Sequence, residues 1–351
     1  MPSDIGYLLM RKDQRLVAPL AATPGVQLIG HTLQACLQDH SLHIQAISAL
    51  QEVIRADLAF TLMDLTVEAE AVGCSVRFEP QRAPVVTSHP TDSQSSLKRL
   101  RIPDPYNDGR LPLFLDTVSA LSRQLPMPVG AYVIGPFTLA GQMAGVTALA
   151  EKSILDQESA ESLLDFAVAA GVAYARALVK AGAALIAVLE PTAVILSPRS
   201  FTHLVLPRLH RLFEAIKSAG AFPVLHICGK STHLLSAMTQ TGAQGLSLDS
   251  VVSFPDIVSQ VPPEIALIGN LAPVDVVMQR SKQDVINATR RLLDAMEPYP
   301  NFILSSGCDL PLETPLDNIK SLVQVAKSPH AVQHAAGSTL GAIRPSTWRM
   351  L

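Results

Sequence analysis

The chain has 351 residues, a formal net charge of -3, 48% hydrophobic and 16% charged residues, and a mean hydropathy of +0.29. This composition supports a large buried core and excludes long disorder, and the lack of any basic block speaks against nucleic acid or an anionic membrane as partner. The N-terminal MPSDIGYLLMRKDQR lacks signal-peptide architecture and no uninterrupted apolar run approaches membrane-spanning length, so a soluble, cytoplasmic protein is expected.

Short apolar runs with strand character recur at Leu16–Leu20, Leu58–Leu62, Val129–Ile134, Ala184–Leu189, Phe222–His226, Gly245–Leu248, Ile265–Ile268 and Phe302–Leu304. Between them lie amphipathic stretches, among them Thr32–Arg55, Gln157–Ala181, Ser200–Ala219, Thr232–Gly242, Pro255–Val261 and Ser281–Met296. Near-continuously apolar strands alternating with helices call for a parallel sheet covered by helices. Eight such units predict an α/β fold of the (β/α)8 TIM barrel type, one domain over residues 1–351. Residues 78–112 break the rhythm. Rich in Pro, Ser, Thr, Asp and Arg, they are expected to form a lid or hairpin over the barrel mouth after the second strand. Residues 328–351 carry little pattern and are expected to be a flexible tail.

Polar residues collect just past the C-terminal ends of the predicted strands, where barrel enzymes place their chemistry. They are Asp64, Glu190, His226, Cys228, Asp249, Asn270 and Cys308, with the turn Gly135-Pro136-Phe137-Thr138 after the third strand. A random scatter would not keep to one end of the strands, so an enzyme is expected.

Of the four cysteines, Cys36 and Cys74 read as small buried apolar residues, and the number is too small for a disulfide framework. Cys228 and Cys308 differ, since each adjoins a glycine at a strand end. His226 and Cys228 are two residues apart and so share one face of a strand. A histidine and two thiols with room for a fourth ligand describe a tetrahedral Zn2+ site with an open position. Glu190, at an adjacent strand end, is the expected fourth ligand. The strands bearing Cys228 and Cys308 are not neighbours, so the Cys308 loop must lean across the mouth, a bend that Gly307 permits. Two thiolates and a carboxylate make zinc a poor activator of water and suit it to binding a substrate thiol, which is deprotonated on coordination yet stays nucleophilic. Attack of that thiolate on an activated methyl group is the natural reaction.

His226-Ile227-Cys228-Gly229, Asp64-Leu65-Thr66-Val67-Glu68-Ala69-Glu70-Ala71, Ile268-Gly269-Asn270 and Ser305-Ser306-Gly307-Cys308-Asp309-Leu310-Pro311 together resemble the uroporphyrinogen decarboxylase superfamily. More narrowly they resemble its methylcobamide:coenzyme M methyltransferase branch, over about residues 17–327. The resemblance implies a barrel enzyme that moves a methyl group from a methylated corrinoid such as methylcobalamin, held on a small corrinoid-binding protein, to a zinc-bound thiol such as coenzyme M. It assigns the zinc to His226, Cys228 and Cys308, with Glu190 the matching acidic residue. One departure concerns substrate: the glycine loop that grips porphyrinogen carboxylates with arginines reads Ala21-Ala22-Thr23-Pro24-Gly25 here. That disfavours a porphyrinogen-decarboxylating lyase. Asp64, at the position resembling the decarboxylase aspartate, is expected, with Asp249 and Asn270, to position substrate or corrinoid. Lys230 would meet a sulfonate or carboxylate tail, the small residues from Gly135 to Thr138 would let a flat macrocycle approach, and His89 on the lid would touch substrate or sit at the surface. A folate or homocysteine acceptor, and a non-catalytic zinc or corrinoid-protein scaffold, are the alternatives. The apolar excess leaves room for a homodimer interface.

Overall fold

A computed structural model describes residues 15–91 and 100–328. Most of the tail expected to be flexible, and residues 92–99 of the expected lid, lie outside the described residues.

Seven parallel strands form one curled sheet in the order β1 (Ala59–Phe60), β4 (Val129–Ile134), β5 (Leu185–Leu189), β6 (Phe222–Ile227), β7 (Gly245–Leu248), β8 (Ala266–Leu271) and β9 (Phe302–Ser306). The remaining place is taken by the first predicted strand, which pairs too briefly to count as a regular one. Leu304 N–H donates to Leu16 O at 3.0 Å and Ala18 N–H to Leu304 O at 2.8 Å, while Asp57 N–H donates to Val17 O at 2.9 Å. Residues 16–18 therefore bridge β9 to the segment entering β1 and close a (β/α)8 barrel. The strands are buried along their length, as sheets covered on both faces require.

The helices correct the sequence reading in detail. Thr32–Arg55 is two helices, because Asp39 is extended (φ -136°, ψ 116°) and its carboxylate caps the second, His40–Ile54, through Ser41 and Leu42 N–H. Helices Leu111–Gln124, Pro136–Ala144, Val146–Leu155 and Leu316–Ala326 join those expected. Gln157–Ala181 is long and apolar enough to cross a membrane, but 56% of its most apolar window is buried against the barrel and the helix Leu206–Ala219. The excursion after the second strand begins with an antiparallel hairpin, β2 (Val76–Glu79) and β3 (Arg82–Val86). Gln34 N–H donates to Pro80 O, and the Phe78 ring lies 4.8 Å from the Arg110 guanidinium. Beyond the hairpin, His89 Nδ1 meets Gln142 O at 2.7 Å and Thr91 N–H donates to Met143 O, which ties this segment to the end of Pro136–Ala144.

Candidate active site

The barrel mouth gathers His226, Cys228 and Cys308, whose ligand atoms all lie within 4.8 Å of one another. His226, the penultimate residue of β6, is buried, and its Nδ1 meets Ser247 Oγ at 2.9 Å across the β6–β7 register. That contact turns Nε2 toward the thiols, 2.9 Å from Cys228 Sγ and 3.7 Å from Cys308 Sγ. A partner on the second ring nitrogen is how proteins orient a ligating imidazole. The two sulfurs are 3.3 Å apart, well beyond a disulfide bond, and both cysteines are free. Tetrahedral zinc with bonds of about 2.3 Å to sulfur and about 2.0 Å to nitrogen separates its ligand atoms by about 3.5–3.8 Å. The donor set is therefore assembled at nearly the spacing such an ion needs, and these residues could hold one.

The thiols are unequal. A hydrogen bond from Cys228, reinforced by His226, holds the Cys308 thiol down against the opposing effect of burial. The same bond, burial and the nearby charges of Cys308 and Asp249 push the Cys228 thiol up.

Two strands separate β6 from β9, so the convergence is made by turns. Gly307 N–H still donates to Leu271 O on β8 at 2.8 Å. A Cβ at Gly307 would sit 2.5 Å from Ser250 N. The glycine is needed because the loop after β9 presses against the backbone after β7, which refines the bend expected there. Asp249 braces the opposite side, its Oδ2 accepting from Gly229 N–H at 2.8 Å and its Oδ1 from Val251 N–H and Ser250 Oγ. Asn270 Nδ2 donates to Asp249 O at 3.0 Å and Val252 O at 2.6 Å. Both residues sit where the strand ends predicted, and here they stiffen the loops that carry the triad. Lys230 is exposed on the turn after Cys228.

Glu190 does not join the triad, which corrects its expected place as fourth ligand. Its fully buried carboxylate accepts from Phe137 N–H (2.9 Å), Thr138 N–H (2.6 Å) and Thr138 Oγ1, capping the N-terminus of helix Pro136–Ala144. Burial pushes this carboxyl up to about 7, and the three hydrogen bonds hold it from going higher. A Cβ at Gly135 would lie 2.3 Å from Glu190 Oε2. Gly135 and Thr138 thus serve Glu190, where the sequence suggested room for a macrocycle.

Asp64 is buried away from the triad in a cluster that the sequence did not disclose. Its Oδ2 pairs with Arg110 Nη1 at 2.5 Å and its Oδ1 accepts from Thr66 N–H and Oγ1, while Arg110 Nε reaches Glu70 at 2.6 Å. An arginine does face the aspartate, but it comes from the stretch read as an excursion, and two carboxylates already hold it. Glu68 on the same short helix, Val67–Ala71, is fully buried and accepts from Ile134 N–H at 2.6 Å. Burial raises its carboxyl to about 8. Asp309 and Tyr132 were also missed. Asp309 directly follows Cys308, and Thr23 Oγ1 donates to its Oδ2 at 2.7 Å. Burial pushes its carboxyl up to about 8. Their signals were a second acid in the Cys308 motif and a lone phenol in an apolar strand.

Residues 22–329 match the family model described as uroporphyrinogen decarboxylase (URO-D). The methylcobamide:CoM methyltransferase MtbA of Methanosarcina acetivorans is 33% identical over 270 residues, 76% of this chain and 78% of that protein. The methylcobamide:CoM methyltransferase MtaA of Methanosarcina barkeri is 32% identical over 74% of this chain and 76% of its own length. A uroporphyrinogen decarboxylase of Thermus thermophilus is 26% identical over 84% of this chain and 86% of its own. A solved methyltransferase from Methanosarcina mazei superposes with a TM-score of 0.84 at 25% identity, covering 93% of this chain and 97% of the other. With the barrel, the strand-end triad and a match over nearly its whole described length, this chain belongs to the uroporphyrinogen decarboxylase family.

Proposed function

We propose that this chain is a zinc-dependent methyltransferase that moves a methyl group from a methylated corrinoid, presented by a small corrinoid-binding protein, to a thiol. The observation that carries the reading is the convergence of His226 Nε2, Cys228 Sγ and Cys308 Sγ at the barrel mouth. The similarity to methylcobamide:CoM methyltransferases supports it. His226, Cys228 and Cys308 would hold the ion and leave one position open; a zinc ion bound there lowers the pKa of an incoming thiol, so that the acceptor is a thiolate at neutral pH. In the transfer the thiol proton leaves, a carbon–sulfur bond forms, and the methyl–cobalt bond breaks with both electrons remaining on cobalt, Co(III) becoming Co(I). Ser247 keeps the imidazole oriented, and Asp249, Asn270 and Gly307 hold the two thiol-bearing loops together. The decarboxylase reading is disfavoured because residues 21–25 bear no arginine and buried Arg110 is already paired with Asp64 and Glu70.

The test is metal content by elemental analysis of protein purified without chelator, followed by mixing with methylcobalamin and thiols. One zinc per chain and thiol-dependent demethylation in the visible spectrum are expected. Protein without metal would overturn the reading. Demethylation driven by a folate or homocysteine would reassign the acceptor.

A further inference from the structure

Cys228 and Cys308 are placed to bond to each other as well as to a metal. Their sulfurs stand 3.3 Å apart, both are free, and both are partly exposed, whereas Cys36 and Cys74 are buried. A disulfide brings two sulfurs to about 2.05 Å, and tetrahedral zinc holds two of them about 3.8 Å apart. The observed spacing lies between the two, about 1.3 Å from the bond and about 0.5 Å from the metal-bound separation. The Cys308 side is fixed, because Gly307 N–H is held by Leu271 O and a Cβ at Gly307 would strike Ser250 N. The Cys228 side has room: Gly229 is in the left-handed region (φ 79°), and a Cβ there would meet only Val194, at 3.6 Å. The two uses of the pair exclude each other. Sulfurs joined in a disulfide have no thiolate left to ligate, and of the triad only His226 would remain to hold an ion.

We infer that Cys228 and Cys308 form a thiol–disulfide switch, thrown by the disulfide of a small thiol, the oxidised counterpart of the acceptor. The inference rests on the methyltransferase reading for its consequence: transfer stops when the acceptor pool is oxidised and resumes when it is reduced. One cysteine of the pair loses its proton to solvent and attacks a sulfur of the small disulfide RS–SR. The S–S bond breaks, RS⁻ leaves and takes up a proton, and a mixed disulfide remains on the protein. The other cysteine, 3.3 Å away, loses its proton and attacks the protein sulfur of that mixed disulfide, expelling the second RS⁻. The pair has then given two electrons and two protons to RS–SR, which becomes two RSH, and the Cys228–Cys308 bond is formed. Zinc competes with this exchange for the same two sulfurs, so the ion protects the pair and oxidation keeps the ion out.

The experiment equilibrates the protein, zinc-loaded and metal-free, with mixtures of 2-mercaptoethanol and 2-hydroxyethyl disulfide of falling thiol fraction. Remaining thiols are alkylated and counted by intact mass, the linkage is read by peptide mapping, and zinc is measured by elemental analysis. In the metal-free protein the alkylatable cysteines should fall from four to two, with a peptide cross-linked between Cys228 and Cys308 and no zinc rebinding. Dithiothreitol should restore all four thiols and zinc binding, and the zinc-loaded protein should oxidise more slowly. Cys308→Ala should stop at a mixed disulfide on Cys228 that never resolves. Four alkylatable cysteines at the oxidising end, mixed disulfides on both cysteines without a cross-link, or a cross-linked protein that still binds zinc would each overturn the switch. The methyltransferase would stand in those cases, provided the reduced protein holds zinc and demethylates methylcobalamin with thiol. Reduced protein that does neither would fell the methyltransferase reading and the switch with it.

Discussion

Gly135→Ala tests whether the turn after β4 is small for the sake of Glu190. The backbone there (φ -67°, ψ 153°) suits any residue, so the cost of a methyl group must come from contact. The new Cβ would lie 2.3 Å from Oε2, 2.5 Å from Cδ and 2.9 Å from Cβ of Glu190, too close for the carboxylate to stay. Moving it strips the acceptor from Phe137 N–H, Thr138 N–H and Thr138 Oγ1, all buried. At about 1–3 kcal/mol for each unsatisfied group, and less than additively, the loss should be about 3–6 kcal/mol. That is a large share of the about 5–15 kcal/mol by which proteins are stable. Guanidinium denaturation reads it as a lower midpoint at unchanged slope. In a Glu190→Gly background all three of these atoms are gone, and Gly135→Ala should cost less than about 1 kcal/mol, giving a coupling above about 2 kcal/mol. Equal costs in both backgrounds would refute the reasoning and return Gly135 to the role of a clearance for substrate.

Cys308→Ala should take bound zinc from one per chain to none with the circular dichroism spectrum retained, because β9 stays paired to β8 without the thiol; loss of the fold would mark the metal as structural. Arg110→Met leaves Asp64 and Glu70 without their cation and should cost about 3–5 kcal/mol in chemical denaturation, partly recovered by adding Asp64→Asn; a loss under about 1 kcal/mol would deny the cluster its structural role. Glu68 sets a pH dependence. Its carboxyl ionises near 8 in the folded protein and near 4.5 in the unfolded chain, so between these values the unfolded state binds fewer protons and stability falls as pH rises. Glu68→Gln keeps an acceptor for Ile134 N–H and should flatten the decline between pH 5 and pH 8 by about 3–5 kcal/mol; denaturation midpoints with the same pH slope as the wild type would count against it.

The resident acids at the mouth divide by burial. Asp249 is only partly buried and spends its oxygens on backbone N–H groups of neighbouring turns. Glu190 and Glu68 are fully enclosed, yet each accepts from the backbone around the Gly135 turn, Glu190 from Phe137 and Thr138, Glu68 from Ile134. A pair of buried carboxyls thus clamps the exit of β4 from both sides. The helix Pro136–Ala144 starts at a fixed place as a result, and Thr138 remains tied to Glu190 and is not presented to the mouth.

Much of this protein was legible in its sequence. Continuous apolar runs and the alternation with helices determined the barrel, because a strand covered on both faces must be apolar throughout and such strands need helical crossovers. The two-residue spacing of His226 and Cys228 determined that they share a face. What needed the tertiary structure was everything set by contact between distant segments. Leu16–Leu20 is strand-like in composition but forms only a bridge, since its pairing depends on how β9 and the entry to β1 meet around it. Glu190 stands at a strand end like a ligand, and only the packing of Gly135 and Thr138 around it shows its carboxylate engaged elsewhere. Arg110 and Asp64 are 46 residues apart, and Thr23 and Asp309 are 286 apart. Periodicity reports which face of its own element a side chain occupies; which partner it meets across the barrel is decided by loop paths, for which the sequence has no period.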